Sequence, residues 1–315
     1  MWRDPGRILA ELSEVADEAE ADFTAPELED LALKATLSAV LLQDADASVA
    51  SFVSNLVQGA DGNLPEKFAV ACRSRLGLDS FDPLFRLPEL VNELAIPVFP
   101  AKLSAVKSVR LILGSSPYIF IADDLPFDQL YLCAFELGGL LANKGWARRK
   151  PYLRATSRLD SDFRSFKGID LFARDFAFEL LLPTSGVGVS LKKLRQLLNI
   201  KNKAVGDIEL ICLARIFGVS FEVAALRCEK LGLLPAGGAA SMARFIGDNF
   251  KGAEARAQTL NLPGHPKITF PLIPDLLQNS LTRAVGDGAL SAEEVSLALS
   301  VPAAELLRLI DVNVH

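Results

Sequence analysis

The chain has 315 residues, 50% hydrophobic and 23% charged, with 39 acidic against 33 basic side chains and a formal net charge of −6. That is an ordinary globular balance with core material for about two domains. No run approaches the roughly 18 apolar residues of a membrane span, and the first residues are acidic from Asp4 onward with no apolar signal core, so the expected address is the cytoplasm with no membrane partner.

The first 60 residues read as helices. Thr24-Ala25-Pro26-Glu27 is a capping box with proline in the first turn, opening an apolar-periodic helix to about Leu42. Asp61-Gly62-Asn63 breaks the pattern and marks a boundary. Helices near 65 to 76 and 87 to 95 precede short strands at 96 to 99, 108 to 113 and 117 to 122, with Gly114-Ser115-Ser116 as a hairpin turn. Two helices follow, at about 125 to 143 and 168 to 182. Beyond Pro183 the pattern is helical again. Leu213 to Leu231 has the look of a helix-turn-helix, with Gly218 at the turn and Ser220 as N-cap. Its second helix carries only Arg227 and Lys230 as bases, few for the phosphate contacts of a DNA reader. Pro235 to Ser241 reads as a linker, and the capping box Ser291-Ala292-Glu293-Glu294 opens a last helical unit that includes a helix at about 302 to 310.

Charge is uneven. Residues 1 to 30 hold ten acids and two bases, whereas residues 144 to 167 hold eight bases and two acids, interleaved with Trp146, Tyr152, Phe163 and Phe166. Such a segment fits nucleic acid, an acidic protein partner docking on Trp146, Arg148, Arg149, Lys150 and Arg154, or a solvated connection facing the acidic N-terminus.

Metal and nucleophile chemistry have few carriers. Two histidines, His265 and His315, exclude a histidine-rich zinc site, and nothing places a nucleophile beside either. Cys72, Cys133, Cys212 and Cys228 form no Cys-x-x-Cys pair and read as reduced core residues. The Gly-x-x-x-x-Gly-Lys phosphate loop is missing, and Gly186-Val187-Gly188 lacks the third glycine and the preceding strand of a dinucleotide fingerprint.

Tyr131 to Leu140 reads Tyr-Leu-Cys-Ala-Phe-Glu-Leu-Gly-Gly-Leu, the frame of a His-Glu-x-x-His zinc-peptidase helix with Phe135 and Gly139 at the two ligand positions and only Glu136 kept. Downstream, Phe172-Ala173-Arg174-Asp175-Phe176-Ala177-Phe178-Glu179-Leu180-Leu181-Leu182-Pro183 resembles the second conserved helix of the ImmA/IrrE family, with Phe172 where the family's third ligand stands. Leu90 to Val98, Pro117 to Ala122, and Ile216 to Ser220 with Arg227 and Leu231-Gly232-Leu233 match in the same order, so the resemblance covers roughly residues 65 to 235. Active members of that family are regulatory proteases that cleave helix-turn-helix repressors. The resemblance therefore implies a bacterial or mobile-element regulator built as an inactive metallopeptidase, with no cofactor, no metal and a vestigial Glu136.

The expected fold is α+β and mostly helical, a small three-stranded sheet in a zincin-like core. Residues 1–62 and 186–315 form helical regions around a 63–185 metallopeptidase-like core. Adjacent Gly138 and Gly139 cost about 0.8–1.0 kcal/mol each against alanine in a helix interior, so something approaches that helix closely. Phe135 and Phe172 are expected to fill the vacated site as an aromatic pair, within contact distance of one another or of a shared apolar cluster. Cys133 and Asp170, two positions before these and about 200° around each helix, are expected to point away. The function implied is binding of a protein partner such as a helix-turn-helix regulator. A residual metallo-endopeptidase using other ligands and a DNA-binding regulator are the alternatives.

Overall fold

The computed structural model describes residues 4–19, 21–42, 64–114, 116–142, 151–157, 166–202, 204–266, 268 and 270–311. The boundary at Asp61-Gly62-Asn63 and the residues Trp146, Arg148, Arg149, Lys150 and His315 lie outside them. The described chain is mostly helical around one small open sheet. Its elements are α1 (Pro5–Glu18), α2 (Ala25–Leu41), α3 (Pro65–Arg75), α4 (Leu87–Glu93), β1 (Val98–Ala101), β2 (Val106–Leu113), β3 (Ser116–Ala122), α5 (Gln129–Ala142) and β4 (Tyr152–Ser157). There follow α6 (Gly168–Leu181), α7 (Thr184–Leu197), α8 (Asp207–Phe217), α9 (Phe221–Lys230), α10 (Gly238–Phe250), α11 (Ala253–Thr259), α12 (Asp275–Gly286), α13 (Ala292–Leu299) and α14 (Ala303–Asp311).

The sheet has four strands in the order β1-β3-β2-β4, not three. β1 runs parallel to β3, and β2 is antiparallel to both β3 and β4. The fourth strand falls inside the segment whose bases suggested a solvated connection. Its alternation is nonetheless that of a half-buried strand: Leu153 and Ala155 are buried on one face while Arg154 and Thr156 point to the other. The β2–β3 hairpin is as expected, with Leu113 paired to Ser116 and Gly114 at φ +64°.

Strand alternation divides the interior in two. Val109 and Leu111 of β2, Tyr118 and Phe120 of β3 and Leu153 of β4 face one apolar cluster, closed by α1, α2, α12, α13 and α14. Ile112, Ile119 and Ile121 face the other, closed by the helices from α3 through α11. The N- and C-terminal helices thus meet over one face of the sheet, while α5 and α6 lie on the opposite face. The capping boxes stand where the sequence puts them: Glu27 accepts from the Thr24 amide at 2.7 Å and Glu294 from the Ser291 amide at 2.8 Å.

The Pro235 to Ser241 stretch is not a linker. It opens α10, whose first amides, Gly237 and Ala239, each donate to the Glu229 carboxylate at 2.9 Å. Small residues there let the helix start tight against α9, with Ala239 buried. No helix among the described residues is long and apolar enough to cross a membrane.

A buried ion cluster as the candidate functional site

α5 is apolar nearly all the way round and buried almost throughout, as a helix wedged between a sheet and another helix must be. Its two glycines are the points of closest approach. A Cβ on Gly138 would lie 3.0 Å from the Ala173 Cα and 2.7 Å from the Phe176 ring, so α6 crosses there at backbone distance. A Cβ on Gly139 would lie 1.2 Å from Nη1 and 2.2 Å from Cζ of Arg110. The Arg110 guanidinium therefore fills the space in which any side chain at 139 would begin.

Arg110 reaches this position because β2 has period two. Ser108, Arg110 and Ile112 share the face toward α5, so a cation is delivered into the interior at 1% exposure. The β2–β4 register sets Ser108 beside Thr156 and Arg110 beside Arg154. Two arginines directly opposite one another repel, and Asp170 in the first turn of α6 answers both. Its Oδ1 accepts a short hydrogen bond from Arg110 Nη2, and its Oδ2 accepts from Arg154 Nη2 at 2.8 Å and Nε at 3.1 Å. Glu136, fully buried, supplies the second carboxylate. Its Oε1 accepts from the hydroxyls of Ser108 and Thr156, both at 2.6 Å, and its Oε2 stands 3.6 Å from Arg110 Nη1. Two carboxylates and two guanidiniums make the cluster neutral, and cross-bonding is what makes such burial tolerable.

Burial pushes the Glu136 carboxyl above its usual range, and the Arg110 charge and the two hydroxyls oppose the rise without cancelling it. Burial works against the Arg110 charge as well, but Glu136, Tyr152 and Asp170 outweigh it and hold the guanidinium above its ordinary value. Arg154, 42% exposed along its side chain, and Asp170, 17% exposed, link the cluster to solvent. What this arrangement does chemically is lock two helices to two strands.

Phe135 and Phe172 meet the second form of the expectation for the vacated position, a shared apolar cluster, and not ring-to-ring contact. Both belong to one apolar cluster, but Phe135 packs against Phe166 at 5.5 Å between centroids, with the Arg110 guanidinium 5.9 Å above its ring. Phe172 instead meets Phe68 of α3 edge-on at 5.6 Å. α6 is turned so that Asp170, Ala173 and Phe176 address α5 or the residues bound to it. Asp170 thus points into the site, contrary to the helical-angle estimate, which took Phe172 as the inward position. Cys133 is buried and Cys72 and Cys228 have thiols pushed up to about 12 by burial, which suits core residues.

A zinc ion of the kind held by a His-Glu-x-x-His helix does not fit these residues. The first ligand position is a phenylalanine, the second is a glycine whose side-chain space holds a guanidinium, and the third faces α3. Among the described residues no three His, Cys, Asp or Glu side chains converge as a metal set. Of the residues bearing on this site, the sequence singled out Glu136, Phe135, Gly139 and Arg154; it missed Ser108, Arg110, Thr156 and the inward Asp170. The missed signal was Arg110 in register with Ile112 on the inner face of a strand.

The helix-turn-helix-like pair is α8 and α9, with Gly218 at φ +68° and the Ser220 hydroxyl accepting from the Val223 amide. Its bases are spent internally. Arg227 is 2% exposed and bonds the Leu182 carbonyl at 2.9 Å, Thr184 and Glu179, and Lys230 pairs with Asp175. The turn itself is covered, since a Cβ on Gly218 would meet Ile268 at 2.7 Å and Phe85 at 2.8 Å.

No protein-family model matches the chain, and a search of the curated proteins gives no match.

Proposed function

We propose that this protein is a metallopeptidase-like regulator of the ImmA/IrrE type, on a zincin-like core, that neither binds zinc nor hydrolyses peptides and acts by holding a protein partner, a helix-turn-helix regulator being the kind the family resemblance suggests. The observation that carries the proposal is the Arg110 guanidinium over Gly139: an internal cation, neutralised by Glu136 and Asp170, stands where a ligand side chain on α5 would project. Glu136, which in the resembled helix takes a proton from metal-bound water, here accepts two hydroxyl hydrogen bonds.

An extended partner segment would add to the sheet at β4. The other edge is blunted, because the carbonyls of Pro97 and Ala101 face β3 and that of Pro100 faces outward, where Lys34 Nζ takes it at 3.1 Å; Pro100 has no N–H to offer. Among the described residues β4 pairs on one side only, with β2, and it carries Arg154 at its half-exposed position. Arg148, Arg149 and Lys150 precede it in the chain and would supply charge for an acidic partner, with Trp146 as an aromatic contact. The DNA-binding alternative has less support, since Arg227 and Lys230 are engaged within the protein.

The test is affinity capture from the native host with wild type and with Arg148→Glu/Arg149→Glu/Lys150→Glu, alongside zinc analysis of protein from zinc-supplemented cells. The expected result is a salt-sensitive complex that the charge reversal weakens and zinc far below one per chain. Stoichiometric zinc with cleavage of the captured protein would overturn the proposal.

A further inference from the structure

Two surfaces of this chain combine exposed leucines with charge of opposite sign. The first is the end of α7. Between residues 184 and 206 there is no acid, and Lys192, Lys193 and Lys201 are all exposed around Leu197, which is 81% exposed, and its neighbour Leu198. The remaining described base, Arg195, is tied to Glu209 at 2.6 Å. The helix buries Gly186, Val187 and Leu191, while Gln196, Leu197, Leu198 and Asn199 at its end are all exposed. The second surface is the α13–α14 hairpin. There Leu297 is 69% exposed, Leu307 is also exposed, and Glu293 and Glu305 stand in the open with Arg308 as the opposing charge.

Single surface leucines need no explanation. An apolar tip ringed by unneutralised lysines, matched in the same chain by an apolar and acidic hairpin, does. α7 packs into the cluster on one face of the sheet and α13 into the cluster on the other. The two surfaces therefore belong to helices on opposite sides of the sheet. Both are available to a second copy, and a contact between unlike patches is heterologous, leaving one of each free after every addition.

We infer that the protein self-associates head to tail, the lysine-ringed end of α7 in one copy docking on the acidic α13–α14 hairpin of the next. Leu197 and Leu198 supply the apolar centre of the contact and the charges its rim, which makes association concentration-dependent and weaker at high salt.

The test is light scattering on size-exclusion fractions of the full chain, at several concentrations and at low and high salt. Wild type is expected to rise above 34.0 kDa with concentration at low salt. Lys192→Glu/Lys193→Glu keeps only the acidic surface and Glu293→Lys/Glu305→Lys only the basic one, so each alone stays a monomer. Each variant leaves the other's native docking surface intact, and the two reversed surfaces are complementary to each other as well, so mixing the two at equal concentration restores association above the monomer mass. That regained association also shows that both variants are folded. A wild type that is monomeric throughout, or a mixture that stays monomeric, overturns the inference. So does a monomeric wild type that co-sediments with phosphatidylglycerol vesicles in a Lys192- and Lys193-dependent way, since the α7 tip would then meet an anionic lipid surface.

Discussion

Gly139→Ala separates the ion-cluster account from simple helix propensity, because the two give opposite signs. Propensity alone says that alanine stabilises an interior helical position by about 1 kcal/mol over glycine. In this structure the new Cβ would sit 1.2 Å from Arg110 Nη1, whereas carbon and its non-bonded neighbours rest at about 3.5 Å, so the guanidinium must retreat by roughly 2 Å. That displacement takes it out of hydrogen-bond range of Asp170 and further from Glu136, and leaving buried charges unpaired costs about 3–5 kcal/mol. The net expectation is a loss of about 2–4 kcal/mol, read from urea unfolding followed by far-UV circular dichroism. In an Arg110→Ala background the obstruction is gone, and Gly139→Ala should be neutral or stabilising by up to about 1 kcal/mol. If Gly139→Ala stabilises the wild type, or costs the same with and without Arg110, the guanidinium does not occupy that space and the cluster account fails.

Glu136→Gln removes a carboxyl whose pKa is raised by burial. A raised group contributes stability that is fully present below its unfolded pKa and is lost as pH rises through the folded value. The wild type should therefore be favoured over the variant most at acid pH, with the difference shifting toward the variant as pH rises from about 4.5, in parallel urea titrations; a pH-independent difference would contradict the burial of this group. Glu27 runs the other way. Burial opposes ionisation, but hydrogen bonds from the Thr24 and Ser104 amides prevail and hold the carboxyl below its ordinary range. Glu27→Ala should cost about 1–2 kcal/mol near neutral pH, and the penalty should shrink as pH falls through the depressed folded pKa, measured by thermal unfolding.

Much of the fold was legible because its signals are local. Capping residues, the Gly114 turn and the run of apolar residues from Gln129 to Ala142 each specify their own element, and the structure keeps them with ends shifted by a few residues. β4 was not legible, because its one charged residue, Arg154, and the basic residues around it in the chain look solvated until one knows that Asp170 sits across from Arg154. At the site, the two adjacent glycines correctly announced a close approach. Their partners, the Ala173 backbone and the Arg110 guanidinium, depend on strand register and on the rotation of α6 about its axis, and neither is written in a seven- or ten-residue window. The same rotation turned Phe172 toward Phe68 and brought Asp170 inward.

The interlock between Gly139 and Arg110 also constrains which sequences this fold can reach in single steps. An imidazole at 139 has no room while Arg110 stays. Arg110 cannot leave alone, because Glu136 would remain in the core without its cation and Asp170 without one of its two. Nor can Glu136 leave first without stranding part of the guanidinium's charge. Each single step at Gly139, Arg110 or Glu136 passes through a destabilised protein, so a metal-binding α5 is reached here most directly through concerted change at several positions.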